Sequence, residues 1–223
     1  MPEPPLPAKR QDLETKRRTP RQARAEATVR AILDATAQIL EAGGIAALTT
    51  NAVAARAGVS IGTLYQYFAD KDALLVALAR REIDVTIAQV AHALQRADTP
   101  SPEDRVRAIV RALIHAFGGR RRARRALLHA LFGLGVGPEL MLPVLEFAGR
   151  LGSGGAAGTP LPTLTREAVF VLTRATMSTI RSAVLEDQPF LASRAFEDEL
   201  VRLNLAYLAA LGIDLSGARP ARA

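Results

Sequence analysis

Two short helical runs lie back to back with three residues between them, and this spacing narrows what the chain can fold into. Residues 49–68 read TTNAVAARAGVSIGTLYQYF. Gly58 permits a tight turn at positive φ, and Ser60 is a good N-cap for a second helix. The arrangement is that of a helix-turn-helix, in which the second helix enters the DNA major groove. Val53, Ala54 and Ala57 can pack inward, Val59 can plug the space between the helices, and Leu64 and Phe68, at i and i+4, can anchor the second helix. That leaves Ile61, Gly62, Thr63, Tyr65, Gln66 and Tyr67 facing outward. Against DNA such a set has a use. Gln bonds adenine bidentately, Thr and Tyr donate to phosphates, and apolar atoms meet thymine methyls. Gly62 would let the helix N-terminus approach the backbone, where free N–H groups favour phosphate.

The rest of the chain also reads as helix. Thr19-Pro20-Arg21-Gln22 forms a capping-box pattern. Val29, Ile32, Leu33, Thr36, Ala37 and Leu40 then recur at helical spacing until Gly43-Gly44. Asp70 caps a long fourth helix to about Ala97, and Ser101 with Pro102 and Asp104 starts a fifth that stops at Gly118-Gly119. Helices near 120–132, 138–150, 164–186 and 190–211 complete the pass, with a loop by composition at 152–162. No period-2 run suggests a strand. The expected class is all-α with about nine helices, a small N-terminal unit and a larger bundle after it.

Charge adds a partner class. The net charge is +7, and it is local. Residues 1–30 hold eight basic residues against four acidic ones, and GGRRRARR at 118–125 adds five Arg. A local basic patch favours a polyanion, nucleic acid before anionic membrane. The Pro-rich, charged residues 1–18 read as a flexible arm, either a tail without a target or one that lies along DNA. The Arg run reads as a solvated helix face, with an acidic ligand or partner as the competing reading.

Residues 25–78 resemble the TetR family of bacterial transcriptional regulators. LTTNAVAARAGVSIGTLYQYFADKDALL follows that family's N-terminal signature, with Thr49, Ala54, Ala57-Gly58-Val59-Ser60, Gly62, Leu64-Tyr65, Phe68, Lys71 and Leu74 at its spacing. The resemblance implies DNA contacts at Thr50, Asn51, Ser60, Ile61, Thr63, Tyr65, Gln66 and Tyr67, with Lys71 gripping phosphate. It also implies a division into an arm (1–18), a three-helix DNA-binding domain (19–70), a ligand-binding and dimerisation domain (71–215) and a tail (216–223). The last two long helices would pair with those of a second copy. Val169, Leu172, Thr173, Thr176, Ile180 and Val184, with Phe196, Leu200, Leu203, Leu205, Tyr207 and Leu208, offer an apolar face for this. The partners implied are a double-stranded operator, a small-molecule effector and a second copy of the chain, in the bacterial cytoplasm at the nucleoid. The fourth helix would be the lever between the halves.

The effector pocket is the least legible part. Leu113, Phe117, Leu128, Phe132, Met141 and Leu145 are candidate lining residues, as are Val110, Ile114, Leu131, Leu142 and Phe147, and all are equally good core residues.

Other classes find little support. The chain has no cysteine, which excludes disulfides and thiolate metal sites and suits a reduced intracellular compartment. His92, His115 and His129 lack metal-ligand spacing, and the last two read as satisfied core or pocket groups. GSGGAAG at 152–158 follows no strand and lacks Gly-Lys-Ser/Thr. No catalytic constellation or cofactor motif stands out, so no enzyme is expected. No apolar run approaches the ~20 residues of a membrane span, and the N-terminus lacks the apolar region of a secretory signal. Two alternatives to a ligand-released repressor stay open: a non-specific architectural DNA-binding protein, and an enzyme with an accessory DNA-binding module.

Overall fold

The computed structural model describes residues 9–96, 101–152 and 164–213. Among them the chain forms nine α-helices: α1 (Lys9–Gly43), α2 (Thr50–Ala57), α3 (Ile61–Tyr67), α4 (Lys71–Arg96), α5 (Pro102–Gly118), α6 (Arg121–Leu134), α7 (Gly137–Gly152), α8 (Arg166–Leu185) and α9 (Arg194–Ala210). Short 3-10 turns precede α2 and α9. No strand occurs among the described residues.

Local side chains start most of these helices. The hydroxyls of Thr49, Ser60, Ser101, Thr165 and Ser193 accept the N–H of Ala52, Thr63, Asp104, Ala168 and Phe196, at 3.0–3.2 Å. The Asp70 carboxylate accepts from Ala73 at 2.7 Å. Each such cap is worth about 1 kcal/mol. α6 is different. Its N-cap residue Arg120 gives no side-chain cap; the Glu41 carboxylate of α1 accepts the Ala123 N–H at 2.8 Å instead.

Two apolar cores result. The first joins Ile32, Leu33 and Leu40 of α1, Val53 and Ala54 of α2, Leu64 of α3 and Leu74, Leu75 and Leu78 of α4. Ala123, Leu127 and Leu131 of α6 and Leu140 of α7 belong to the same core. Packing is therefore continuous across the expected boundary near residue 70. The second core joins Val110, Ile114 and Phe117 of α5, Ile180, Ala183 and Val184 of α8, and Leu200 and Val201 of α9. Ion pairs tie helix to helix across both. Arg81 meets Asp34 at 2.7 Å between α4 and α1. Arg107 and Arg111 of α5 hold Glu197 of α9 at 3.2 and 2.7 Å, and Arg107 also bonds Asp198.

Three expectations need correction. α1 starts at Lys9, not at Thr19, so residues 9–18 of the expected arm are helical. Those residues are good helix formers, and Asp12–Lys16 and Glu14–Arg18 have the favourable acid-before-base spacing of four. Second, part of the face assigned to a partner copy is used inside the chain. Ile180, Val184, Leu200 and Leu208 are buried, whereas Leu203 stays 45% exposed. Third, His115 and His129 are exposed instead of lying in the core. Separately, α8 is long and apolar enough, by length and composition, to cross a membrane, though charged residues interrupt it, and its buried residues pack on α5 and α9. The expected loop at 152–162 lies almost wholly outside the described residues.

Candidate functional site

The turn between α2 and α3 has the geometry that Gly58 was expected to supply. Gly58 sits at φ 69°, ψ 29°, the left-handed region. Its N–H bonds the Ala55 carbonyl at 3.3 Å and the Val59 N–H bonds that of Ala54 at 3.1 Å, closing α2 as a Schellman-type cap. Val53 and Ala54 on α2 and Leu64 and Phe68 at the end of α3 are buried. Ala57 and Val59 are half-buried against the same core. With Leu64 pointing inward, the remainder of α3 is pushed to the surface.

The structure leaves most of the expected DNA-contact residues exposed on α2, α3 and the start of α4. Ile61, Tyr65 and Tyr67 are 38%, 52% and 39% exposed. Asn51, Ser60, Gly62, Gln66 and Lys71 are exposed, and Thr50 and Thr63 half-buried. Some of their polar atoms are already engaged. Ser60 and Thr63 hydroxyls share a hydrogen bond at 2.8 Å, and the Thr50 and Tyr65 hydroxyls share one at 3.2 Å. The second bond fixes the Tyr65 ring relative to α2. The side chains of Asn51 and Gln66 make no hydrogen bond, and Lys71 no ion pair, among the described residues. Arg56, in the last turn of α2, is exposed and was not among the expected contacts. A Cβ added at Gly62 would meet nothing closer than the Ser60 hydroxyl at 3.9 Å. The fold therefore does not demand glycine there.

A second feature is a partly open cavity of about 450 Å³, lined by residues of α1 and of α4 through α8. Of the expected pocket residues, Phe117, Leu128, Leu131, Phe132 and Met141 line it. Leu113 lines a smaller cavity of about 180 Å³, and Leu145 lines neither. The two cavities share Thr86, Val144 and Met177.

Sequence reasoning missed the charged lining. Arg120, Arg124, Arg174 and Arg181 all border the larger cavity, together with Glu82. The Arg run is thus split: Arg120, Arg122 and Arg125 are exposed, Arg120 at the cavity's rim, while Arg124 is half-buried against the cavity. Arg124 pairs with Glu82 at 2.7 Å and lies over the Phe117 ring at 5.0 Å. Its burial pushes the guanidinium pKa below its ordinary value, and the charge of Glu82 opposes that shift. Arg174 and Arg181 lie over Phe170 and Phe132 at 5.3 and 5.0 Å. The Nε of Arg174 is buried without a hydrogen-bond partner, a state that costs about 1–3 kcal/mol. The sequence did hold a signal. Arg124 shares the helical face of Leu127, Leu128 and Leu131, and Arg174 and Arg181 are two turns apart on α8. Among the described residues no group of His, Asp and Glu could hold a metal ion.

Comparison with known proteins bears first on the DNA-facing unit. Residues 32–78 match the model for bacterial regulatory proteins of the tetR family. The chain carries the N-terminal module of the TetR family. Within this TetR-family segment it is 45% identical over 69 residues to the HTH-type transcriptional repressor KstR of Mycolicibacterium smegmatis, covering 31% of this chain and 34% of that one. The chain thus matches about a third of that curated relative's length. The TetR-like fold extends further. The fatty acid degradation regulator FadR from Bacillus halodurans superposes with a TM-score of 0.61 at 17% identity, over 79% of this chain and 94% of the other. The multidrug binding protein EbrR complexed with imidazole superposes with a TM-score of 0.56 at 23% identity, over 80% and 93%. At those identities the likeness speaks for the fold alone.

Proposed function

We propose that this protein is a sequence-specific, DNA-binding transcriptional repressor that acts as a homodimer in the cytoplasm and leaves its operator when a small molecule binds. The observation that carries this reading is the outer face of α3. Gln66, Tyr65, Tyr67 and Ile61 stand exposed around a glycine that nothing inside the fold requires. Exposed aromatics with an unbonded amide and a close-approach glycine suit the floor of a major groove. The likeness to a named repressor over this segment supports the same reading.

Dimerisation follows from the geometry of DNA and from the apolar surface left on the last helices. Two recognition helices about 34 Å apart would read successive major grooves of a near-palindrome. On α9 and its C-cap, Leu203, Ala206, Ala210 and Leu211 are exposed at helical spacing; on α8, Phe170 and Val171 are exposed. This stripe, not the buried face of Ile180 and Leu200, is the surface available to a second copy. An interface of about 2,000 Å² or more is usual for such obligate pairs.

Ligand release needs a cavity whose occupancy changes how the DNA-binding unit is held. α6 supplies the link: Arg124 borders the cavity while Leu127 and Leu131 lie in the core shared with α1.

Selection of bound fragments from a random DNA pool at physiological salt tests the proposal. The expected result is an enriched near-palindrome. Binding that is equal for all sequences and vanishes as salt rises would replace the repressor reading with charge-driven DNA coating.

A further inference from the structure

We propose that the larger cavity takes an amphipathic anion, an apolar body ending in one acidic head group. The inference rests on the repressor reading only for its link to DNA release. Four guanidinium groups, those of Arg120, Arg124, Arg174 and Arg181, border one cavity, and Glu82 is the sole carboxylate among its lining residues. Glu82 pairs with Arg124 at 2.7 Å and also with Arg81, which does not border the cavity, at 3.8 Å. Arg120, Arg174 and Arg181 have no acidic partner among the described residues.

Chemistry points the same way. The Cζ atoms of Arg124, Arg174 and Arg181 each lie over a Phe ring, 5.0–5.3 Å from its centroid. A ring offers no hydrogen-bond acceptor to satisfy a guanidinium's N–H donors, which bond carboxylate or phosphate in a bidentate fork. The Nε of Arg174 is a buried donor without an acceptor, the state a bound anion would relieve. The rest of the lining is largely aliphatic and aromatic, as an apolar chain or ring would need. The smaller cavity shares Thr86, Val144 and Met177 with it and is lined mainly by apolar side chains, so a tail has somewhere to extend. Lipophilic cations fit poorly: the excess of positive charge along the lining repels them.

The test is calorimetry on the DNA-free protein with four probes of one chain length, held below micelle formation: myristate, tetradecyl phosphate, 1-tetradecanol and tetradecylamine. Either anion is expected to bind at least about tenfold more tightly than the alcohol, with no saturable binding of the amine. Arg174→Gln is expected to remove about tenfold of the anion's affinity while leaving the alcohol's in place. Equal binding of alcohol and anions, or preference for the amine, would overturn the inference whatever the variant does. A parallel DNA-release assay separates the two readings. Anion binding that leaves the selected operator bound upholds the ligand class and removes the release mechanism; release by the amine or alcohol alone does the reverse.

Discussion

At the scale of single residues, Gly62 separates the demands of folding from those of recognition. Gly in a helix is less stable than Ala by about 0.5–1 kcal/mol, and space around Gly62 is open. Gly62→Ala is therefore expected to raise the unfolding midpoint while weakening operator binding, read by denaturation and by DNA titration of the same sample. Stabilisation with unchanged DNA affinity would show that no phosphate or base comes close at this position. Gln66→Ala is expected to relax preference at one operator position by about 1–3 kcal/mol, whereas Lys71→Ala weakens every sequence alike. Affinity for a panel of single-base operator variants distinguishes the two. The outward placement of Gly62 and Gln66 was legible in the sequence because α3 is short and Leu64 fixes its rotation: once one side chain is inward, the others have nowhere to go but out.

At the scale of elements, what decides legibility is the distance between partners along the chain. Caps at Thr49, Ser60, Asp70 and Ser101 lie three residues from the N–H they accept, and sequence reading placed the last three. The cap of α6 comes from Glu41, 82 residues earlier, and no local pattern announces it. Glu41→Ala is expected to cost about 1–2 kcal/mol in urea unfolding, with Glu41→Gln, which keeps an acceptor oxygen, recovering part of it. The α5–α9 junction gives a pH signature. Hydrogen bonding from Arg111, then from Arg107, holds the Glu197 carboxyl below its ordinary pKa against the opposing effect of burial, and Arg107 does the same for Asp198. A depressed folded pKa contributes stability above the ordinary carboxylate range and loses it as pH falls through the folded value. The unfolding midpoint should therefore drop on acidification below about pH 4.3, and Glu197→Gln should flatten that dependence. The Arg run was misread for a related reason. Composition shows charge, but only the rotation of α6 shows that Arg124 turns inward with Leu127 while Arg122 and Arg125 turn out.

At the scale of the whole molecule, helix number and order were readable because caps and glycines punctuate the chain, but partner choice between helices was not. An apolar stripe says that something covers it, not whether the cover is the same chain. Thus Ile180, Val184 and Leu200 pack within the chain, and the outward stripe through Leu203 had to be found from exposure. Leu203→Glu is expected to leave the monomer's unfolding transition nearly unchanged, since the side chain already faces out, yet to shift the protein to monomer in sedimentation and to abolish cooperative operator binding. A dimer that persists would place the interface elsewhere.

The membership of Leu127 and Leu131 in the same core as Ile32, Leu40 and Leu78 bears on modularity. A DNA-reading head cut off near residue 70 and joined to another regulator's body would arrive without part of its own interior. Exchange of heads between such proteins, by recombination or by an engineer, would succeed only where the incoming body carries an α6 of matching shape. The unit that can be inherited intact is the head plus that distant helix.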